Sequence, residues 1–199
     1  MKAAAAGFRP HSGWTSLVVV SLERGCPVVL LRERVQLVRT FNYSYRQPYH
    51  TAAKAGLDEG RAFISQVKTE AQQLARGTLR RLQANLADAD YCLTHCGLLL
   101  GSGRALPSLE KILAAHPLIH TADGELFREA LTRAGTRCGL QLLCTKEKAL
   151  VREAAESLGM KEAALIRRVT ELGKPLGAPW TQDEKFATLV AWMALATAD

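Results

Sequence analysis

The chain has 199 residues, and its 26 lysines and arginines against 19 aspartates and glutamates give a formal net charge of +7 at pH 7. Hydrophobic residues make up 48% of the composition, which is too apolar for a disordered chain. The sequence has no apolar run of about 18 residues, so no membrane-spanning segment is predicted. The length predicts one domain with a sizeable core.

The N-terminal residues 1–14 are predicted to be a disordered tail. Arg9 and Pro10 interrupt the alanine run before it reaches the length of a secretory signal. A single folded domain is then expected over residues 15–199. The five cysteines, an odd number, are spread through apolar stretches, which favours reduced thiols and a cytoplasmic protein.

The N-terminal half predicts an antiparallel meander followed by a long helix. Short runs rich in β-branched and apolar residues, separated by turn residues, are typical of such strands. The three runs are residues 17–21, 28–31 and 34–41. Residues 42–57 are polar and predict a loop. Apolar residues at spacings of three and four predict a helix over 58–86, with Asp58 as its N-cap.

The C-terminal half predicts two further strands among helices. Residues 91–100 form an unbroken apolar run, which indicates a strand buried on both faces and parallel to an earlier one. Residues 138–144 predict a second short strand. Helices are predicted at about 105–115, 121–134, 145–158, 161–172 and 180–198. In the last helix, Thr181 and Glu184 have the spacing of a capping box.

The element order β-β-β-α-β-α-β-α-α predicts a three-layer α/β domain. Its mixed sheet would contain three antiparallel strands and then parallel strands, with helices on both faces. This order is that of the ribonuclease H-like fold, and the C-terminal third resembles the bacterial crossover-junction resolvases. Residues 144–148 (CTKEK) and 183–191 (DEKFATLVA) carry that resemblance. There the family reads TK-x-x-V after a strand and D-x-x-D-A-h-A-h-A in the last helix, where h is apolar.

The resemblance implies four carboxylates that hold two Mg²⁺ or Mn²⁺ ions. The family places one on the first strand, one near the end of the fourth strand and two at the last helix. Asp183 and Glu184 match the last-helix pair and are the candidate metal ligands, although they are adjacent rather than one turn apart. The first-strand position is expected near Ser21, with Glu23 two residues on. The fourth strand ends at residues 98–102 without an acid.

These departures predict that catalysis is lost or altered. One alternative is a Mg²⁺- or Mn²⁺-dependent nuclease with a displaced set of acids. Those candidate catalytic residues are Glu23, Asp123, Glu125, Asp183 and Glu184. Another alternative is a protein-interaction module that kept the fold and abandoned the site.

The expected partner is DNA or RNA, because a domain of charge +7 gains affinity from phosphate contacts. The candidate contacts include two dense arginine pairs, Arg80 with Arg81 and Arg167 with Arg168. They also include Ser102 and Arg104, in a glycine-rich turn where backbone amides could cradle a phosphate at the end of a strand. A solvated cationic surface and a plain turn are the alternatives. A homodimer is left open, and no membrane partner is expected.

Two clusters of metal-ligand residue types are candidates for a further site. His116, His120, Asp123 and Glu125 lie close together, and a helix from residue 119 would place His120 and Asp123 one turn apart, where they could share a metal or a proton. Local capping is the alternative. In the other cluster, strand alternation would place Cys92 and Cys96 on one face and His95 on the other. Core cysteines are therefore expected there.

The predicted loop 42–57 contains an aromatic cluster. Its tyrosines, with Arg46 and His50, could stack on a nucleic-acid base. The tyrosines are Tyr43, Tyr45 and Tyr49. The alternative is a loop folded back on the edge of the sheet.

Overall fold

The computed structural model describes residues 1–101 and 105–197, which form a five-stranded mixed sheet with helices on both faces. The strands are β1 (Lys2–His11), β2 (Trp14–Glu23), β3 (Cys26–Gln36), β4 (Tyr91–Leu100) and β5 (Gln141–Lys146). The helices are α1 (Tyr43–Arg46), α2 (Pro48–Ala52), α3 (Leu57–Asp88), α4 (Leu109–Leu113), α5 (His116–Arg137), α6 (Leu150–Ser157), α7 (Glu162–Leu172) and α8 (Gln182–Ala196), with a 3-10 turn at Lys174–Leu176. Within the described ranges, no helix is long and apolar enough to cross a membrane.

The order across the sheet is β3-β2-β1-β4-β5. β1 pairs antiparallel with β2, and β2 pairs antiparallel with β3. β4 lies parallel to β1 on one side and to β5 on the other. The predicted α/β class, with antiparallel strands followed by parallel ones and helices on both faces, is confirmed.

The prediction of a disordered tail over residues 1–14 is wrong, because Lys2–His11 form the central strand of the sheet. Residues 4–6 and Phe8 of this strand are fully buried. Ala4, Ala6 and Phe8 pack into one core and Ala5 into the other. Because helices cover both faces, the strand shows no polar alternation, and alanine has a low preference for strands. The folded domain therefore includes residues 2–14.

Several other predicted boundaries are corrected. The predicted strand 28–31 and the first three residues of the predicted strand 34–41 belong to one strand, β3, which ends at Gln36. The predicted loop 42–57 contains α1 and α2. Gly56, rather than Asp58, is the N-cap of α3. Thr145 does not begin a helix but lies in β5, and α6 begins five residues later at Leu150.

Each face of the sheet has its own core. On one face, α3 and α5 bury Leu79, Phe127 and their neighbours against Phe8 and Leu17. On the other face, α6, α7 and α8 bury side chains such as Val190 against Val18, Val20 and Leu99. The sheet is thus the middle layer of three, and its central strands have no solvent-exposed face.

Helix α8 approaches the sheet unusually closely at two glycines. A Cβ atom added to Gly7 of β1 would lie 1.9 Å from the carbonyl oxygen of Ala187. One added to Gly97 of β4 would lie 2.4 Å from the carbonyl oxygen of Val190. Because both obstacles are helix backbone, no side-chain rearrangement can relieve them. The two glycines therefore determine how closely α8 packs on β1 and β4.

A β-bulge in β4 corrects the predicted side-chain alternation. Ala4 pairs with Leu93 and Ala5 with His95, so that Thr94 is the extra residue. As a result Leu93 and Cys96, three residues apart, face the same core. His95 is buried, and its Nε2 lies 3.0 Å from Gln141 Oε1. Cys96 is a core thiol as expected, and burial raises its pKa.

We predict that Gly7→Ala destabilises the protein by about 3 kcal/mol, because the added methyl group overlaps the backbone of α8. Gly77→Ala is the control, since Gly77 is exposed within α3 and its Cβ would meet no atom within 4 Å. That change should stabilise the helix by about 0.5–1 kcal/mol. Urea unfolding of both variants measures the difference, and an unchanged midpoint for Gly7→Ala would contradict the close packing.

Candidate site at the carboxyl ends of the parallel strands

The carboxyl ends of β1, β4 and β5 meet at one edge of the sheet, beside the N-terminus of α8. β1 has an antiparallel neighbour on one side and a parallel neighbour on the other. Open α/β sheets place their ligand sites outside the carboxyl ends of their strands, where the connections diverge. The residues at this edge are therefore the first candidates for function.

Arg9, near the end of β1, forms the centre of a charged cluster. Its Nε and Nη2 donate to the two carboxylate oxygens of Glu147 at 3.1 and 2.7 Å, the geometry of a bidentate pair. Its Nη1 forms an ion pair with Asp183 of α8. The ring of Phe186 lies 5.3 Å from the guanidinium carbon. The Arg9 side chain is only 18% exposed, and the bond to Glu147 raises its pKa above the usual value.

His11, two residues after Arg9, also contacts Asp183. Its Nε2 lies 3.1 Å from Asp183 Oδ1, and its ring stacks on Trp14 at 4.2 Å. Burial lowers the pKa of His11, although the neighbouring carboxylate acts in the opposite direction. The ring is therefore held toward its neutral form, and Arg9 is the permanent cation of the cluster.

Of the predicted acids, only Asp183 lies in this cluster. Glu184 accepts the Thr181 N–H at 2.7 Å and completes the predicted capping box, so its carboxylate is held at the helix end. Glu23 lies at the other end of the strands, beside the first residues of β1, where it pairs with Lys2 at 3.2 Å. Lys2 and Arg9 are seven residues apart along β1, or about 23 Å of strand.

The first-strand position expected near Ser21 is therefore wrong, because Ser21 lies in the second strand. At the end of the true first strand stands Arg9. The other two predicted acids belong to α5, where Asp123 binds His50 and Glu125 pairs with Arg128 at 3.3 Å. The displaced set of five acids does not converge.

Two adjoining clefts open at this edge. The larger, of about 810 Å³, is lined by Glu147 and Phe186 together with three cationic side chains. These are Arg128, Lys146 and Lys148. The smaller, of about 400 Å³, is lined by His11 and His120 among others and shares Arg128 with the first. Arg128 Nη1 donates to Glu125 at 3.3 Å, while its buried Nε has no hydrogen-bond partner among the residues that the structure describes.

The arginine pairs predicted to bind nucleic acid lie elsewhere. Arg80 is exposed on α3, and Arg81 pairs with Glu33 of β3, the edge strand farthest from β5. Arg167 and Arg168 lie on α7, where Arg168 lines a hollow beside the first residues of β3. The candidates Ser102 and Arg104 lie outside the described residues.

Sequence reasoning missed the cations that do surround the clefts. Lys146 and Lys148 belong to the CTKEK segment, but nothing in their spacing indicates that they face a cleft. Arg9 is not among the sequence-based candidates because residues 1–14 are predicted to be a tail. Arg128 gave no signal, because its place depends on how α5 packs against the end of β4.

The second cluster combines His50 of α2 with His116 and His120 of α5. One ring nitrogen from each lies within 4.8 Å of the others. His50 Nδ1 bonds the buried carboxylate of Asp123, whose other oxygen accepts the Tyr49 N–H at 2.7 Å. Burial raises the pKa of Asp123, against the opposing effect of these hydrogen bonds.

The prediction that His120 and Asp123 could share a metal or a proton is thus corrected, since the Asp123 carboxylate is bonded to His50. Among the described residues, Cys92, His95 and Cys96 form no such cluster. The loop aromatics favour the folded-back alternative. Tyr45 packs edge-to-face on Phe63 at 5.4 Å, and Tyr49 is half-buried.

We predict that Arg9→Gln lowers the free energy of unfolding by about 1–3 kcal/mol, because two partly buried carboxylates lose their cation. Arg61→Gln is the control, since Arg61 forms an ion pair with Glu110 that is exposed to solvent and therefore contributes little to stability. Denaturant titration near pH 7 compares the two. Equal effects would mean that the Arg9 cluster behaves as an ordinary surface ion pair.

Comparison with solved structures places this arrangement in a known fold. RuvC from Thermus thermophilus matches with a TM-score of 0.55 and 12% identity over 98% of this chain and 95% of that chain. T. thermophilus RuvC in complex with Holliday junction substrate matches with a TM-score of 0.54 and 14% identity, over 98% of this chain and 94% of that chain. The yeast mitochondrial Holliday junction resolvase Ydc2 matches with a TM-score of 0.50 and 13% identity, over 97% of this chain and 80% of that chain.

No protein-family model and no curated protein sequence matches the chain. At these low identities the structural likeness concerns the fold alone. The strand order, the helical layers and the match along nearly the whole chain all agree with a shared fold. The chain has the ribonuclease H-like fold and resembles Holliday junction resolvases in structure.

Proposed function

We propose that this protein binds nucleic acid in the cleft at the carboxyl ends of its parallel strands and lacks the two-metal cleavage expected of a resolvase. Arg9 is the observation that carries the proposal. The resemblance implies a metal-binding carboxylate on the first strand. In this chain, β1 instead carries the Arg9 guanidinium, which is bonded to both Glu147 and Asp183. A divalent cation would have to displace it.

The other expected ligand positions also favour loss of cleavage. The fourth strand ends at Leu100 and Gly101, which have no carboxylate. One turn after Asp183 in the last helix, where the family pattern has its second aspartate, this chain has Phe186. Mg²⁺ and Mn²⁺ prefer several oxygen ligands around each ion. Asp183 and Glu147, both already paired with the Arg9 guanidinium, make a poor site for two ions.

The cations around the larger cleft support nucleic acid as the ligand. Lys146 and Lys148 are exposed on its rim, and Arg128 borders both clefts. Three cationic groups at one opening favour a polyanion and offer donors to phosphate oxygens. One protein of this fold has been solved with a Holliday junction substrate, which supports branched DNA as the first ligand to test.

We predict that Lys146→Glu/Lys148→Glu weakens DNA binding at least tenfold and reduces the slope of log K against log salt by about 2, because two phosphate contacts are lost. Fluorescence anisotropy with a four-way junction and a linear duplex, over a salt series, measures both quantities. Arg167→Glu/Arg168→Glu is the matched control, since it changes the net charge equally on α7.

The control variant should keep most of the affinity of the unchanged protein. Equal losses in both variants would mean that overall charge, rather than the cleft, determines binding. Absence of binding to either DNA at low salt would contradict the proposal and favour the protein-interaction alternative.

We predict that Arg9→Asp gives the protein measurable affinity for Mn²⁺, because a third carboxylate then lies beside Glu147 and Asp183. Isothermal titration calorimetry should detect that binding in Arg9→Asp, and detect none in the unchanged protein at the same concentrations. Arg9→Gln removes the cation without adding an acid and should bind more weakly than Arg9→Asp. Cleavage of a junction by the unchanged protein with Mg²⁺ or Mn²⁺ would overturn the proposed loss of catalysis.

A further inference from the structure

Three of the five histidines in the chain meet beside the smaller cleft, although they come from separate segments. His116 and His120 are four residues apart on α5, which places both on one face of the helix. His50 reaches them from α2. The ring centroids of His50 and His116 both lie near that of His120, at 4.4 Å each, and the rings meet edge to face.

The surroundings of His50 distinguish this cluster from a chance contact of aromatic rings. The Asp123 side chain is only 3% exposed and binds His50 Nδ1. The Tyr49 N–H holds the other carboxylate oxygen at 2.7 Å. Since Nδ1 is occupied, Nε2 is the nitrogen of His50 left free to bind a ligand. Histidines that bind metals commonly have such a carboxylate on the other ring nitrogen, which orients the ring.

We propose that His50, His116 and His120 form a binding site for one divalent transition-metal ion of the zinc class, and that Asp123 positions His50. Imidazole ligands suit Zn²⁺, Co²⁺, Ni²⁺ and Cu²⁺, whereas Mg²⁺ and Ca²⁺ require oxygen ligands. This site therefore differs in both place and metal from the two-metal site implied by the resemblance to resolvases.

The geometry fits a tetrahedral ion with modest movement. Zn–N bonds of about 2.0–2.1 Å require nitrogens about 3.3 Å apart, and here the three lie within 4.8 Å. His116 and His120 are exposed, so rotation of their side chains can close the difference while Asp123 keeps His50 in place. Three protein ligands leave the fourth position for water, the pattern of open zinc sites. The inference is independent of the proposed nucleic-acid binding.

Metal binding should be tested on the full chain without a polyhistidine tag. After dialysis against zinc, elemental analysis should find one Zn²⁺ per chain. Titration with Co²⁺ should give the visible absorption of a tetrahedral complex. Zinc at a hundredfold excess over its Kd should raise the Tm by roughly 5–10 °C, and a chelator should reverse the shift.

His116→Ala/His120→Ala removes two exposed ligands without disturbing a core, so it should fold normally and lose the Co²⁺ absorption and the Tm shift. His11→Ala is the control, because it removes a histidine that borders the same cleft outside the cluster and should keep both. Asp123→Asn should retain the three ligands but bind Zn²⁺ about 10–100-fold more weakly. Unchanged metal content in the double variant, or no Co²⁺ absorption in the unchanged protein, would overturn the proposal.

Discussion

The close contact between α8 and the central strands determines which side chains meet at the carboxyl ends of the parallel strands. Gly7 and Gly97 let the helix backbone rest directly on β1 and β4, where any larger side chain would lift it. Because α8 packs so closely on the strands, Asp183 in its first turn contacts Arg9 and His11. Side chains from β1, from the end of β5 and from α8 converge because backbone packing places their elements together.

The charged side chains at the carboxyl ends of the parallel strands are arranged differently from those expected in a two-metal nuclease. The resemblance to resolvases predicts a cluster of carboxylates that needs cations from solution. Here Arg9, a residue of the chain itself, forms ion pairs with both Glu147 and Asp183, and Arg128, Lys146 and Lys148 line the cleft. The same fold can thus carry an arginine where the resemblance to resolvases predicts a metal ligand, because side chains at the strand ends can change without altering the sheet.

Some features could be predicted from the sequence because they depend on local pattern. The apolar run at residues 91–100 coincides with β4, and the Thr181–Glu184 capping box is present. Other features depend on contacts between distant segments. The alanines of β1 gave no strand pattern, since their burial comes from helices packed on both faces. His50 had no visible link to His120, because α2 and α5 are separated by more than sixty residues.

Pro10 lies just beyond the point where β1 and β4 cease to pair. The ladder between these strands ends at Phe8 and Leu98, whereas β1 continues to pair with β2 as far as His11 and Trp14. Proline has no N–H to donate to a neighbouring strand, so residue 10 cannot extend the ladder to β4 with a hydrogen bond of its own. The smaller cleft, which Pro10 and Gly101 border, is therefore a property of the backbone. Its lining can be redesigned residue by residue, toward another charge or another ligand, while the opening itself persists.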